Sequence, residues 1–216
     1  MIEINNIFLK TWRERYKWPL FEGRKASEEK IFRLEETVKN NVLCKGSKSV
    51  KEAILEVVIW KTNNRFQTVR EFQYNSDEII ESVIEEVQGL LRKDSDNVAE
   101  VIKKLTSLEG VKIAVASTIL RFLDSFEHKC GIIDKNVATL LNREHITNFL
   151  LRRKDNYVMY TQSNICEYQK FHNWLQKKAR EIVGTTYTDI YGTQKNFTPV
   201  DVEMALFAFA TQFKKR

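Results

Sequence analysis

Residues 105–120 read LTSLEGVKIAVASTIL, and residues 131–134 read GIID. The first string is the end of an apolar helix, a tight turn centred on Gly110, and a second helix that opens with small residues. Leu108, Val111, Ala116 and Leu120 supply the apolar positions that pack the two helices together. Glycine at the turn lets the backbone approach a neighbour closely. The second string is an apolar run that ends on a single carboxylate, Asp134, placed where a further short helix begins. Asp134 is at once a natural helix N-cap and a lone acid beside an apolar segment.

Outward from this stretch, helical periodicity dominates. Ile4, Ile7, Phe8 and Trp12 predict a helix over about 4–17. Ser27, followed by Glu28 and Glu29, predicts a helix start running to about residue 40, with acids at the positive end of the dipole. Ser49-Val50-Lys51-Glu52 is a capping box that opens an apolar helix to Trp60. The polar junction 61–65 separates it from a helix over 66–72. Ser76 predicts a helix to about residue 91, and Ser95 one that ends near Leu108. Asp134 opens a short helix through Leu141, and 163–183 form a long amphipathic helix. Thr198-Pro199-Val200-Asp201 combines a cap, a proline at the first helical position and an acid three residues after the cap. The Ala- and Phe-rich helix that follows is expected to pack inside. Loop chemistry concentrates in 184–197, and only 156–160 read as a short strand.

Composition bounds the reading. A chain of 216 residues suits one compact domain or two small lobes. With 43% apolar and 30% charged residues it is globular, not disordered. Pro19 and Pro199 are the only prolines, which favours helices between them. The net charge of +6 suits a polyanionic partner and an ordinary basic protein equally. Cys44, Cys130 and Cys166 are sparse and odd in number, which argues against a disulfide framework. With His128, His145 and His172 scattered as well, no zinc-ligand spacing arises. No apolar run reaches the roughly 18 residues of a membrane span, and no signal-peptide pattern opens the chain. An intracellular protein is expected.

The helix, Gly-centred hairpin, small-residue helix and following Asp resemble the helix-hairpin-helix element of the DNA glycosylase superfamily (HhH-GPD). Its members include endonuclease III and the adenine-mismatch, 8-oxoguanine and 3-methyladenine glycosylases. The likeness is sharp over about 105–142 and extends more loosely from about 46. It implies an all-α, two-lobed fold. Residues 46–142 would form a middle lobe, with the helix-hairpin-helix over about 98–123. Residues 1–45 and 143–216 would form the other lobe. The iron–sulfur loop of endonuclease III has no counterpart among the cysteines.

The resemblance implies that Gly110, Val111 and Lys112 hold a DNA phosphate through backbone N–H groups at a helix N-terminus. The superfamily turn reads Gly-hydrophobic-Gly. Lys112 departs from it, either adding an ammonium to the phosphate or degrading the turn's anion or cation site. Bifunctional members carry a nucleophilic lysine at the position of Ala114, so no Schiff-base route and no lyase activity are implied. Asp134 matches the catalytic Asp, which stabilises the positive charge that grows on deoxyribose and orients water.

The junction Trp60–Arg65 is similar in place to the loop that enters the duplex. By that match Asn63 fills the gap of an extruded base, with Asn64 and Arg65 beside it. A helix-terminating Asn pair explains the same residues. Trp60 and Lys135 are candidates for a base pocket, with a core role open for Trp60. Lys103, Lys104, Arg121, Lys129 and Lys135, together with Arg152, Arg153 and Lys154, offer phosphate contacts or simply solvated faces. Tyr157, Tyr160, Tyr168, Phe171 and Trp174 offer stacking surfaces or core.

The expected function is a monofunctional DNA N-glycosylase of base-excision repair. Its partner would be duplex DNA carrying a damaged or mismatched base. It would act as a monomer, away from membranes, with no required cofactor and with room for a structural cation at the hairpin. The alternatives are a catalytically silent helix-hairpin-helix DNA-binding protein and a helical scaffold for a protein partner.

Overall fold

The computed structural model describes residues 2–44, 46–94, 96–124, 127, 129–152 and 158–213. Ser95, His128, Arg153, Lys154, Asn156 and Tyr157, named above, lie outside the described residues. The protein is mostly helical. Its elements run α1 (Asn6–Arg13), α2 (Arg24–Val38), a π-helical turn (Lys39–Leu43), α3 (Val50–Thr62), α4 (Phe66–Gln73) and α5 (Asp77–Lys93). Then come α6 (Val98–Leu105), α7 (Ile113–Leu123), α8 (Lys135–Arg143), α9 (Gln162–Glu181), β1 (Thr186–Thr188), β2 (Gln194–Asn196) and α10 (Pro199–Phe213).

Local chemistry sets most of the boundaries. Ser49 and Glu52 close the reciprocal capping box that starts α3. The Ser76 Oγ accepts from the Ile79 N–H, and the Thr161 Oγ1 from the Asn164 N–H, so each opens its helix. At α10 the Thr198 N–H donates to Asp201 Oδ2 at 2.9 Å, and the Asp201 N–H returns a bond to Thr198 Oγ1 at 3.3 Å.

Several boundaries differ from expectation. Helix α1 is shorter, because Asn5 caps it by accepting from the Phe8 N–H. Ser27 does not start α2, which begins at Arg24 behind Gly23. The Ser27 side chain is buried inside the helix, where its Oγ accepts from the Trp18 N–H and donates to the Gly23 carbonyl. It pins the preceding loop rather than capping. Helix α6 begins only at Val98 and ends at Leu105, leaving 106–110 as turns. Within 184–197, β1 and β2 pair antiparallel, Tyr187 opposite Lys195. Of the expected strand at 156–160, Val158 forms an isolated bridge with Leu151.

The buried apolar residues form one connected core that draws on every helix except α4's exposed first turn. Helix α10 lies inside it. Residues 200–210 are all buried, and from Met204 to Ala210 the sequence is correspondingly apolar all round. It packs against α1, α8 and α9. Phe209 meets Phe8 and Trp12 edge-on, at 5.0 and 5.1 Å between ring centres. Helix α3 packs against α4, α5 and α7, and α6 against α5, α7 and α9.

Gly110 joins the α6–α7 turn to α4. Its φ is +76°, and a Cβ there would stand 2.8 Å from both the Phe72 nitrogen and the Thr68 oxygen. Both neighbours are backbone and cannot step aside. Asn75 completes the clamp, accepting from the Glu109 N–H at 2.9 Å and donating to the Glu109 and Phe72 carbonyls. Gly110→Ala is therefore expected to destabilise the protein by about 1–3 kcal/mol, through left-handed strain and displacement of α4. Urea unfolding reads this directly, and a change below about 0.5 kcal/mol would mean that the turn moves freely off α4.

Candidate active site around Asp134

Asp134 ends a connector that is tied at nearly every residue. The Asp124 carboxylate accepts from the Lys129 and Cys130 N–H groups at 2.8 and 2.9 Å. The Tyr168 hydroxyl donates to the Gly131 carbonyl at 2.8 Å. The Ile132 N–H is directed at the Glu203 carboxyl. The Ile133 N–H donates to the buried Ser117 Oγ of α7 at 3.1 Å. Asp134 itself accepts from the Asn136 and Val137 N–H groups at 2.8 and 2.9 Å, both through Oδ1. One oxygen thus caps α8, and the carboxylate is held by α7, α9 and α10 together. This is the rigid support that a catalytic group needs.

Gly131 allows the close packing on which this support depends. A Cβ at that position would lie 2.4 Å from Leu175 Cδ1 and 3.1 Å from Glu203 Cβ and Cγ. The connector therefore lies directly against α9 and α10, with the Glu203 stem in van der Waals contact.

Glu203 and Lys61 share an electrostatic cluster with Asp134. Glu203 is 4% exposed, and burial pushes its carboxyl up to about 8. Lys61 and Arg121 oppose that shift, while Asp134 adds to it. Lys61 is half-buried on the last turn of α3. Burial pushes its ammonium down from the ordinary lysine value, against the pull of Asp134 and Glu203. Tyr16 stands close enough to Glu203 that, after burial, the acid is the next cause raising its hydroxyl well above the ordinary value. The set joins the Asp134 side chain to a carboxyl whose burial favours its neutral form and an amine of lowered basicity. Such separated proton affinities are what acid–base chemistry uses.

Glu203 makes stability depend on pH. Its folded value lies above the ordinary 4.5, so its contribution is fully present below 4.5 and is lost as pH rises through about 8. Lys61 titrates in the opposite sense, so the comparison that isolates the acid is between wild type and Glu203→Gln. The variant is expected to be the more stable above pH 8, by an amount on the order of a few kcal/mol. Thermal melts from pH 5 to pH 9.5 measure the crossing. Parallel curves would place the acid's ionised form in contact with water.

Among the described residues, three buried polar atoms on residues of the cluster or next to it have no hydrogen-bond partner: Trp60 Nε1, on the residue before Lys61, Asn136 Oδ1, two residues after Asp134, and Arg121 Nη1. Trp60 is half-buried and meets Phe122 of α7 edge-on at 5.5 Å, and its carbonyl accepts from Trp18 Nε1 at 3.2 Å. Its indole thus has a core contact and an open donor together. Lys135, at the first position of α8, is exposed.

The junction after Lys61 is a rigid corner. Asn63 and Asn64 are both left-handed, with φ of 50° and 58°, and both are exposed, as is Arg65. Asn63 is the C-cap of α3, and Arg65 precedes α4. The helix-terminating role is therefore real. Exposure also leaves both amides open to a partner.

At the hairpin, Gly110 and Val111 are buried and Lys112 is exposed. The two buried residues can offer a partner only backbone. Lys112 has φ −101° and ψ 174°, extended values open to any residue, so the missing second glycine costs no backbone strain. No side chain caps α7, and its first turn keeps its N–H groups for an anion. A cation fits the turn poorly. The Leu108 and Glu109 carbonyls already accept hydrogen bonds, and an ammonium projects from the same turn. Among the described residues no cluster of His, Cys, Asp and Glu forms a metal site, and no helix is long and apolar enough to cross a membrane.

Helix α4 links the hairpin to the Asn63–Arg65 corner, and Lys61 links that corner to Asp134. Among the other sequence candidates, Lys103 and Arg152 are exposed, Lys103 pairs with Glu100 at 3.9 Å, Lys104 with Glu86 at 2.6 Å and buried Arg121 with Glu35 at 2.5 Å. Tyr168 and Phe171 are core, Trp174 is half-buried and Tyr160 is exposed. Glu203 carries no motif, but it is the acid that immediately precedes the apolar run MALFAFA. Comparison with protein families, with curated proteins and with solved structures finds no match for this chain.

Proposed function

We propose that the protein is a DNA N-glycosylase that releases a damaged or mismatched base from duplex DNA. The observation that carries this reading is the geometry at Asp134: a side chain fixed by two backbone amides at the end of a connector, with the buried Glu203 stem packed on Gly131 of that connector and burial favouring the neutral form of the Glu203 carboxyl. Cleaving an N-glycosidic bond needs both. Positive charge grows on the sugar, where Asp134 stabilises it. Negative charge grows on the departing base, where a neutral carboxyl can supply a proton. The uncapped start of α7 with Lys112 serves as the phosphate anchor, and Asn63 and Asn64 serve as the groups that enter the duplex.

The test is single-turnover base release from a panel of lesion-bearing and mismatched duplexes. Release of one base class, with affinity that falls as salt rises, is the expected result. A second reading is a silent DNA-binding module, favoured by the departures from the superfamily pattern at Lys112 and Ala114. Tight binding with no release across the panel would establish that reading instead.

A further inference from the structure

We propose a second ligand site, away from Asp134, for a free α-amino acid with an aromatic side chain. It occupies a cavity of about 450 Å³ between α2, α7, α10 and the β1–β2 hairpin. No residue of the 124–134 connector, of α8, of the α6–α7 turn or of the Lys61 corner lines that cavity. Its occupant is therefore not a group on which Asp134 acts, and this site does not depend on the glycosylase reading. The volume lies within the ordinary range of small-molecule sites and far exceeds the ~30 Å³ of one water.

Two buried ions that line the cavity each leave one atom without a partner among the described residues. Arg121, 5% exposed on α7, donates from Nη2 to Glu35, and its Nη1 has no partner. Glu28, 1% exposed on α2, accepts from Arg13 and Arg24 on Oε1, and its Oε2 has no partner. Unsatisfied buried atoms destabilise a core, most of all on charged groups. One of these atoms is a donor on a cation and the other an acceptor on an anion. A ligand that carries a carboxylate and an ammonium on one small framework satisfies both through charge-assisted hydrogen bonds.

The rest of the lining selects among such ligands. The guanidiniums of Arg13 and Arg121 and the Lys195 ammonium stand among four carboxylates. That near balance disfavours a phosphate and a polyamine alike, and it suits a molecule of no net charge. Ile31, Val200 and Met204 supply a buried apolar wall. Phe32 and Tyr191 also line the cavity and stack at 6.3 Å between ring centres and 22° between planes. They stay 42% and 65% exposed, which places them at the mouth with ring surface free for a further ring. A free aromatic α-amino acid joins both charged groups on one carbon and adds that ring. A peptide keeps only one of the two groups at either end.

Isothermal titration calorimetry of the whole chain with L-phenylalanine and L-tryptophan tests this without DNA. The expected result is saturable binding of at least one of them at a single site. For the amino acid that binds best, the matching amine without the carboxylate and the matching acid without the ammonium should each bind at least about 10-fold more weakly. Arg121→Gln should weaken the amino acid by the same factor. Phe32→Ala and Tyr191→Ala change the exposed mouth, should melt like wild type, and should each lower affinity by about 2–10-fold. If Arg121→Gln does not fold, these two variants carry the test. No saturable heat up to about 10 mM of either amino acid would overturn the site and leave its buried ions to water. Equal binding of the amine or of the acid would overturn the zwitterion. Affinity unchanged in both mouth variants would put the ligand elsewhere and overturn the assignment. Base release is read in a separate assay, so the failure of one reading leaves the other standing.

Discussion

Asp134→Asn is expected to lower single-turnover base release by about 10²–10⁴-fold while leaving the fold in place. The two effects separate because the two oxygens have separate tasks. Oδ1 accepts the Asn136 and Val137 amides, and an asparagine oxygen does the same. The cap of α8 should therefore persist, and urea unfolding should shift by less than about 1 kcal/mol. What disappears is the negative charge that the proposed reaction needs. Release within tenfold of wild type would reduce Asp134 to a helix cap. Global unfolding of the variant would show that the charge holds the cluster of Lys61 and Glu203 together.

Arg13→Ala is expected to give the largest loss of stability, about 3–5 kcal/mol. Arg13 is 4% exposed, and its guanidinium reaches Glu28 Oε1 at 2.7 Å and Asp201 Oδ1 at 2.8 Å. It also donates to the Tyr187 hydroxyl and lies 4.4 Å from that ring centre. One side chain thus joins α1, α2, the β1–β2 hairpin and the start of α10. Removing it leaves Glu28 and Asp201 buried without their shared cation, at 1% and 6% exposure. Burial alone would raise the Asp201 carboxyl, and Arg13 with Thr198 holds it below the ordinary 3.8. The stabilisation from Asp201 is therefore present above that value and is lost as pH falls below it. Chemical denaturation at pH 7 and pH 3 checks both statements. A loss under 1 kcal/mol at pH 7 would mean that water takes over both carboxylates.

The helices were largely legible in the sequence because their signals are local. Ser49, Ser76, Thr161 and Thr198 sit at helix starts, and each acts through a hydrogen bond to an amide three residues ahead. Ser27 shows the limit of the same rule. Its residue type suits a cap, but burial beneath the Trp18 loop gives its hydroxyl a partner nine residues away. The β1–β2 hairpin was illegible for a similar reason. Tyr187 is buried through Arg13, and the exposed β2 strand has no apolar alternation to reveal it.

The sequence by itself determined the helical class, the order of the elements, the glycine that the α6–α7 turn requires, and the position of Asp134 at the head of α8. All four depend on residues within a few positions of one another. Tertiary structure alone decided what stands beside Asp134. Lys61 and Glu203 are separated from it by 73 and 69 positions, and no local pattern ties them to it. Their altered proton affinities arise from burial, a property of the assembled core rather than of any segment.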